Sequence, residues 1–299
     1  MTGATATARR SGYVAIVGRP NAGKSTLLNA LVGQKISITS RRPQTTRQNI
    51  AGILTEPNAQ LVFLDTPGFQ TQFRSGLTKA MDRGIQNALS EANVVLWLID
   101  VTANEHKDDD LFARLKDAAS VLIALNKIDR IDNKNKVLEY IQLLDATYHP
   151  KAIVPISAQN KLQLDTLIEA LTPWLPEQDF LYPEDNVTTA SVRGLAAEMI
   201  REKLFRQLGQ ELPYSTAVEI ETFEEKLALT RIRAVILVDK PGQKAIVIGK
   251  GGEKLKEIGT AARQDIEKLV GGKVFLELWV KVKQSWADDR RTLDRLGHS

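Results

Sequence analysis

Four short strings hold the residues able to do chemistry, and the first is built for phosphate. Residues 18–25, GRPNAGKS, fit the pattern G-x-x-x-x-G-K-[ST] between a predicted strand and a predicted helix. Gly18 and Gly23 let the backbone wrap closely around an anion, with Arg19, Pro20, Asn21 and Ala22 forming the loop between them. Lys24 would bridge the β- and γ-phosphates, the Ser25 hydroxyl would ligate Mg²⁺, and Thr26 completes the set at the start of the helix. The competing reading is a glycine turn that merely caps a helix. The flanking strand argues against it.

The remaining strings follow in order, each at a predicted strand end. Asp65-Thr66-Pro67-Gly68 supplies a carboxylate that can hold Mg²⁺ through water and a Gly68 N–H for the γ-phosphate. Asn126-Lys127-Ile128-Asp129 is a base selector. The Asp129 carboxylate can accept from the N1–H and the exocyclic amine of guanine, a donor pair that adenine lacks. Asn126 would fix the loop, and the Lys127 stem can lie along the base plane. Ser157-Ala158 offers a backbone amide to the guanine carbonyl oxygen. Each string alone is weak; the four together predict GTP and GDP rather than ATP.

Two positions bear on catalysis. Within SITSRRPQTTRQ, a polar stretch before Asp65, Thr46 is the expected additional Mg²⁺ ligand, with Thr45 as the alternate. Lys24, Thr46 and Gly68 are the expected catalytic set. Arg41, Arg42 and Arg47 of the same stretch face either RNA or a partner. After Gly68, where many GTP-hydrolysing switches carry a glutamine, this chain has Phe69, whose ring cannot orient an attacking water. Phe69 is therefore expected to pack under the switch loop, with Gln70 an inferior substitute one residue out of place. Slow intrinsic turnover follows. A K⁺ ion beside the phosphates, held in part by the Asn21 side-chain oxygen, is the expected source of the missing charge.

These residues need a scaffold, and the chain between Tyr13 and Leu171 provides one. Strands are predicted at Tyr13–Val17, Gln48–Thr55, Gln60–Asp65, Val94–Asp100, Val121–Asn126 and Ile153–Ile156. Helices are predicted at Lys24–Val32, Leu77–Ser90, Leu111–Ala118, Lys134–Thr147 and Leu162–Leu171. That alternation predicts an α/β domain with a mainly parallel sheet, helices on both faces, and ligands at the strands' carboxyl ends. The expected organisation is a disordered extension over 1–12, a nucleotide domain over 13–172, a proline-containing linker over 173–190, and a smaller domain over 191–299.

The 299-residue length suits two domains, and Cys 0 rules out disulfides and thiolate metal sites. The three histidines are too scattered in sequence to suggest a metal cluster. No apolar run is long enough for a membrane span, and the N-terminus lacks a signal-peptide core. The net charge of +4 is unevenly spread: residues 231–299 carry 15 Lys+Arg against 9 Asp+Glu. A basic C-terminal module suits an anionic partner, though a solvated mixed-charge surface gives the same count.

In that module VIGKGGEKLKEIG centres on Gly249-Lys250-Gly251-Gly252, a G-x-x-G opening a basic amphipathic helix. Such a loop can clamp the backbone of single-stranded RNA. Ile248, Gly249, Lys250, Gly251, Gly252 and Lys254 are the expected contacts. The order α-β-β-α-α-β over Val192–Val282 fits the type II KH fold, provided that Gln243–Ile248, ambiguous by pattern, is a short helix. Trp279 and Trp286 are candidates either for base stacking or for packing.

Taken together, GRPNAGKSTLLNALVGQKISITS, QTTRQNI, DTPGF, NKID and VIGKGGEKLKEIG resemble the Era family, bacterial Ras-like GTPases of the TrmE-Era-EngA class with a C-terminal KH domain. The resemblance spans nearly the whole chain, and a hydrophobic residue after D-x-x-G is itself a feature of that class. It implies a GTP-controlled, monomeric switch that binds near the tail of small-subunit ribosomal RNA and acts in assembly of the small ribosomal subunit. It further implies a cytoplasmic protein with peripheral inner-membrane association. The rival readings are an RNA-modifying P-loop enzyme and a passive RNA-binding protein with a structural nucleotide.

Overall fold

The structure is a computed structural model that describes residues 9–39, 45–47, 49–69, 75–103, 109–115, 120–209, 212–226 and 228–297. Arg41, Arg42 and Gln70 lie outside the described residues. The chain forms two compact units. One comprises Met1–Ser37, Gln48–Thr71 and Asp82–Thr189, the other Ile38–Arg47, Gln72–Met81 and Ala190–Ser299.

The first unit is built on a six-stranded sheet in the order β2-β3-β1-β4-β5-β6. Its strands are β1 (Arg10–Val17), β2 (Ile50–Glu56), β3 (Ala59–Asp65), β4 (Val94–Asp100), β5 (Val121–Asn126) and β6 (Ile153–Pro155). All neighbours are parallel except β2, which forms a hairpin with β3. The helices are α1 (Lys24–Val32), α2 (Gly76–Glu91), which belongs to this unit from Asp82 on, α3 (Asp109–Leu115), α4 (Lys134–Tyr148) and α5 (Leu164–Leu171).

Continuous apolar strands such as VVLWLI bury both faces, as a parallel sheet covered by helices requires. One face gathers Ala15, Val17, Val95, Trp97, Ile123 and Leu125 against Ala88, Leu111, Leu115 and Leu144. Trp97 is fully buried there, its ring 4.9 Å from that of Tyr148 and 6.1 Å from that of Phe112.

Two sequence-based boundaries shift. The first strand begins at Arg10 rather than Tyr13, so Arg10, Ser11 and Gly12, expected in a disordered extension, pair in register with Ala59, Gln60 and Leu61 of β3. The proline-containing stretch expected as a free linker is instead laid along the sheet. Ser11 N–H donates to the Pro176 carbonyl at 3.1 Å, Ile53 N–H to that of Val187 at 2.9 Å, and Thr188 Oγ1 to that of Ala51 at 2.6 Å. The Tyr13 and Tyr182 hydroxyls meet at 3.1 Å. Prolines bar this segment from a helix, but an extended chain still satisfies its backbone against the outer strand and the strand ends.

The second unit contains α6 (Val192–Gln207), β7 (Thr216–Lys226), β8 (Leu229–Val238), α7 (Pro241–Ile248), α8 (Glu253–Val270), β9 (Val274–Val282) and α9 (Arg290–Arg295). Its sheet runs β7-β8-β9, with β7–β8 antiparallel and β8–β9 parallel. The ambiguous stretch near residue 243 is helical because its start is well made. Pro241 opens α7, and Gln243 Oε1 accepts the Asp239 and Lys240 N–H groups, each at 2.9 Å. The core joins Ile200 and Leu204 of α6 to Ile232, Ala234 and Ile236 of β8 and to Val247, Ile258, Ala262 and Ile266.

Candidate nucleotide site and nucleic-acid interface

Residues 18–25 form the turn between β1 and α1. The first turn of α1 has Gly23 as its N-cap with no side-chain hydrogen bond, which leaves backbone N–H groups directed out of the helix end. The glycines are demanded by close approach. A β-carbon at Gly18 would run into the Leu98 carbonyl, and one at Gly23 into the Asn126 side-chain amide. Lys24 is buried, its Nζ donating to the Gly18 and Arg19 carbonyls at 3.0 Å each. Burial pushes its pKa down to about 8, against the opposing pull of Asp65. A buried ammonium among loop carbonyls is a site short of negative charge, which a phosphate would supply.

Asp65 is fully buried at the end of β3, and Oδ2 accepts from Ser25 Oγ at 2.7 Å and from Ser37 Oγ at 2.8 Å. Hydroxyl and carboxylate oxygens converging at a phosphate loop are a hard donor set of the kind that holds Mg²⁺ alongside phosphates. The residues present therefore fit both groups. Thr66 Oγ1 ties this strand end to the Ile16 carbonyl at 2.8 Å, and a β-carbon at Gly68 would stand 2.9 Å from the Pro20 Cα. The segment after β3 thus runs in backbone contact with the phosphate loop.

Phe69 answers the question its position raises. It is buried in the core beside Leu111 and Leu115, its N–H donates to the Gly18 carbonyl at 3.2 Å, and the Arg114 guanidinium lies 4.7 Å from its ring centroid. It packs into the core of the first unit, and a phenyl ring has no group with which to orient water.

The base-selecting strings are locked to the loop. Asn126 Nδ2 donates to the Ala22 carbonyl at 2.8 Å, and Asn126 Oδ1 accepts the Ala158 N–H at 3.0 Å. That bond ties the Ala158 amide, expected to meet the base, to the same asparagine. Lys127 has a left-handed backbone (φ 68°), and its Nζ donates to the Asn21 carbonyl at 2.8 Å and to the Asp100 carboxylate. Asp129 is exposed in the turn that follows β5, and Ser157 is buried after β6. Sequence reasoning passed over Asp100. Its only signal was a carboxylate ending an otherwise apolar strand.

Thr46, the expected further Mg²⁺ ligand, falls in the second unit. Thr45, Thr46 and Arg47 are buried in the second unit. There Arg47 donates to the Thr216 carbonyl at 2.7 Å and to the Tyr214 carbonyl at 3.0 Å, and Arg201 donates to the Thr45 carbonyl. Burial, then the neighbouring Arg201, pushes the Arg47 pKa down to about 9, which leaves it charged at neutral pH.

In the same unit, residues 249–252 turn between α7 and α8. Gly249 has φ 74° and ψ 177°, and Gly251 has φ 61°. Lys250 and Gly251 are exposed, and Ile248 and Lys254 are half-buried. Trp286 is not available to a base: it is 1% exposed and its Nε1 donates to the Ser215 carbonyl at 3.0 Å. Trp279 is 63% exposed.

Known proteins share both parts. A family model described as 50S ribosome-binding GTPase matches residues 13–127, and a KH domain model matches residues 211–287. GTPase Era of a Neisseria meningitidis serogroup C strain is 50% identical over 290 residues, covering 96% of this chain and 94% of that protein. This chain belongs to the Era family of GTPases. Family membership extends to the Chromobacterium violaceum GTPase Era, 49% identical over 96% of this chain and 97% of the relative.

Among solved structures, the chain is similar to Era in complex with MgGDPNP and nucleotides 1506–1542 of 16S ribosomal RNA. That match has TM-score 0.92 and 39% identity, and covers 97% of this chain and 99% of the other. An Aquifex aeolicus Era point variant bound to GDP and aluminium fluoride matches equally, with TM-score 0.92. The Era-family fold, a P-loop GTPase domain with a mainly parallel sheet followed by a KH domain, is the one described above. Among the described residues no helix is long and apolar enough to cross a membrane.

Proposed function

We propose that this chain is a GTP-hydrolysing switch that binds the 3′-terminal region of small-subunit ribosomal RNA through its KH domain and acts in assembly of the small ribosomal subunit. The observation that carries this is the pairing in one chain of an interlocked phosphate and guanine site with an exposed glycine turn at the head of α8. The whole-chain likeness to a relative solved with both a GTP analogue and 16S ribosomal RNA supports it. The family model that names the 50S subunit covers only the nucleotide part, so the whole-chain likeness guides the choice of RNA.

In this reading Lys24 turns from the loop carbonyls to the β- and γ-phosphates, and the backbone N–H groups of residues 21–26 line them. Ser25 would hold Mg²⁺ directly and Asp65 through water, and Thr46 would be added in the GTP-bound arrangement. The bound ion would draw charge from the phosphate oxygens as the terminal bond breaks. Gly68 offers its N–H to the γ-phosphate, and Asp129 selects guanine. Phe69 leaves the attacking water without a side-chain partner, so turnover is slow. A K⁺ ion near Asn21, whose side chain is exposed, is proposed to add the missing charge. A monomer in the cytoplasm, associated peripherally with the inner membrane, is proposed from the family resemblance.

Turnover measured in K⁺ against Na⁺ buffer, with and without an RNA matching the tail of 16S ribosomal RNA, tests the switch. K⁺ should stimulate hydrolysis and RNA should raise it further. Equal, negligible rates in all four conditions would remove both from the mechanism.

Gly251→Asp tests the clamp cleanly. A β-carbon at Gly251 meets nothing within 4 Å, and aspartate tolerates a left-handed backbone better than most residues. The variant should fold, yet lose about tenfold or more in RNA affinity from charge repulsion at the sugar–phosphate chain. Undiminished RNA binding would move the contact elsewhere.

A further inference from the structure

We infer that Asp100 is a positioning residue for guanine-nucleotide binding: it holds Lys127 so that residues 126–129 and the phosphate loop keep one shape. The inference rests on the reading of Asn126–Asp129 as the guanine site. Asp100 ends β4, in register with Asn126 at the end of β5, so the carboxylate stands beside the loop that would take the base. One carboxylate oxygen, Oδ1, accepts the Thr102 N–H at 2.9 Å and the Thr102 hydroxyl at 2.7 Å. The other, Oδ2, accepts from Lys127 Nζ. Thr102 thus fixes the carboxylate, and the carboxylate fixes the ammonium.

The ammonium in turn reaches the phosphate loop, donating to the Asn21 carbonyl at 2.8 Å. This matters because both ends of that link have left-handed backbones, with φ 68° at Lys127 and 65° at Asn21. Non-glycine residues are uncommon in that conformation; asparagine enters it more readily than most, but for a lysine such as Lys127 the surroundings must favour it. The Lys127 and Asp100 side chains are 21% and 18% exposed, so solvent screens the pair only partly. Burial alone would raise the Asp100 pKa, but the Lys127 and Thr102 hydrogen bonds outweigh it and leave the carboxylate below its ordinary range. It is therefore charged throughout the neutral range.

The experiment uses the full-length protein and four variants: Asp100→Asn, Lys127→Met, the double variant, and Asp129→Asn. GDP and GTP affinities and GDP release rates are measured for all four, and steady-state GTP hydrolysis for the first. Asp100→Asn keeps the side-chain shape but removes the charge, and should weaken both nucleotides about tenfold, the size expected for a charge-assisted hydrogen bond. Release should be faster, and the loss should fall more on KM than on kcat. In the Lys127→Met background the same change should cost nothing further, since the two residues act as one link.

Full affinity in a folded Asp100→Asn protein would overturn the inference, and so would an additive loss in the double variant. Asp129→Asn separates this from the base reading. It should shift preference from guanine to xanthine nucleotides, and retained guanine preference would overturn the site itself and the inference with it. If Asp100→Asn fails to fold, Thr102→Val, which removes one donor to the same carboxylate, should give a smaller loss in the same direction; unchanged affinity there counts against the role.

Discussion

Replacing Lys24 by alanine is expected to weaken GTP and GDP binding about a thousandfold while leaving the protein folded with an unchanged or higher melting temperature. The two halves of that expectation have one cause. Lys24 is buried, and among the described residues its ammonium has the Gly18 and Arg19 carbonyls and the field of Asp65 to replace lost water. Those partners do not fully compensate, which is why burial drives its pKa down to about 8.

Removing the ammonium therefore relieves a desolvation cost in the free protein. In the nucleotide complex the same group meets up to two phosphates in a water-poor loop, where each charge-assisted hydrogen bond is strong. Binding should be read by calorimetry and stability by thermal unfolding without nucleotide. A variant that binds GTP normally would sink the phosphate-loop assignment. One that loses stability as well as binding would mean that Lys24 holds the loop together rather than waiting for a ligand.

The second large effect is expected at Gly249, and it is structural. With φ 74° and ψ 177°, this residue occupies a region that essentially only glycine enters, at a cost of about 1–3 kcal/mol for any other. A β-carbon there would also stand 2.6 Å from the Lys254 Cβ and 3.1 Å from the Lys254 nitrogen. Because Lys254 lies in the first turn of α8, its backbone cannot give way without moving the helix. Gly249→Ala should therefore destabilise the second unit by about 3 kcal/mol. Hydrogen exchange should show the loss of protection centred on α7 and the start of α8.

The contrast with Gly251 is the useful part. That residue also has a positive φ, 61°, but has open space around its β-carbon position. Gly251→Asp should spare the fold and lose RNA affinity, whereas Gly249→Ala should lose both. Wild-type stability in Gly249→Ala would show that the turn is not held as described.

What the sequence alone determined was everything carried by local pattern. The spacing of Gly18, Gly23, Lys24 and Ser25 defines a phosphate loop wherever it joins a strand to a helix. Lys24–Val32, Val94–Asp100 and Val121–Asn126 were legible to the residue because apolar runs and a helix-ending glycine mark them. Phe69 was legible as a packing residue because a phenyl ring has no polar alternative.

Tertiary structure decided what depends on partners distant in the chain. The segment at 175–188 lies along the sheet because the outer strand and strand ends offered unpaired backbone groups, a fact no composition records. Thr45, Thr46 and Arg47 read as a polar loop, yet they are buried in the second unit, with Arg47 satisfied by the carbonyls of Tyr214 and Thr216. Trp279 and Trp286 are the same residue type seven positions apart, and only packing separates the exposed one from the buried one. Asp100 became visible as part of the nucleotide site only when β4 and β5 paired in register and brought Lys127 to it. Local sequence sets conformational preference, but the energy of a buried charge or a paired backbone group is settled by what the fold places beside it.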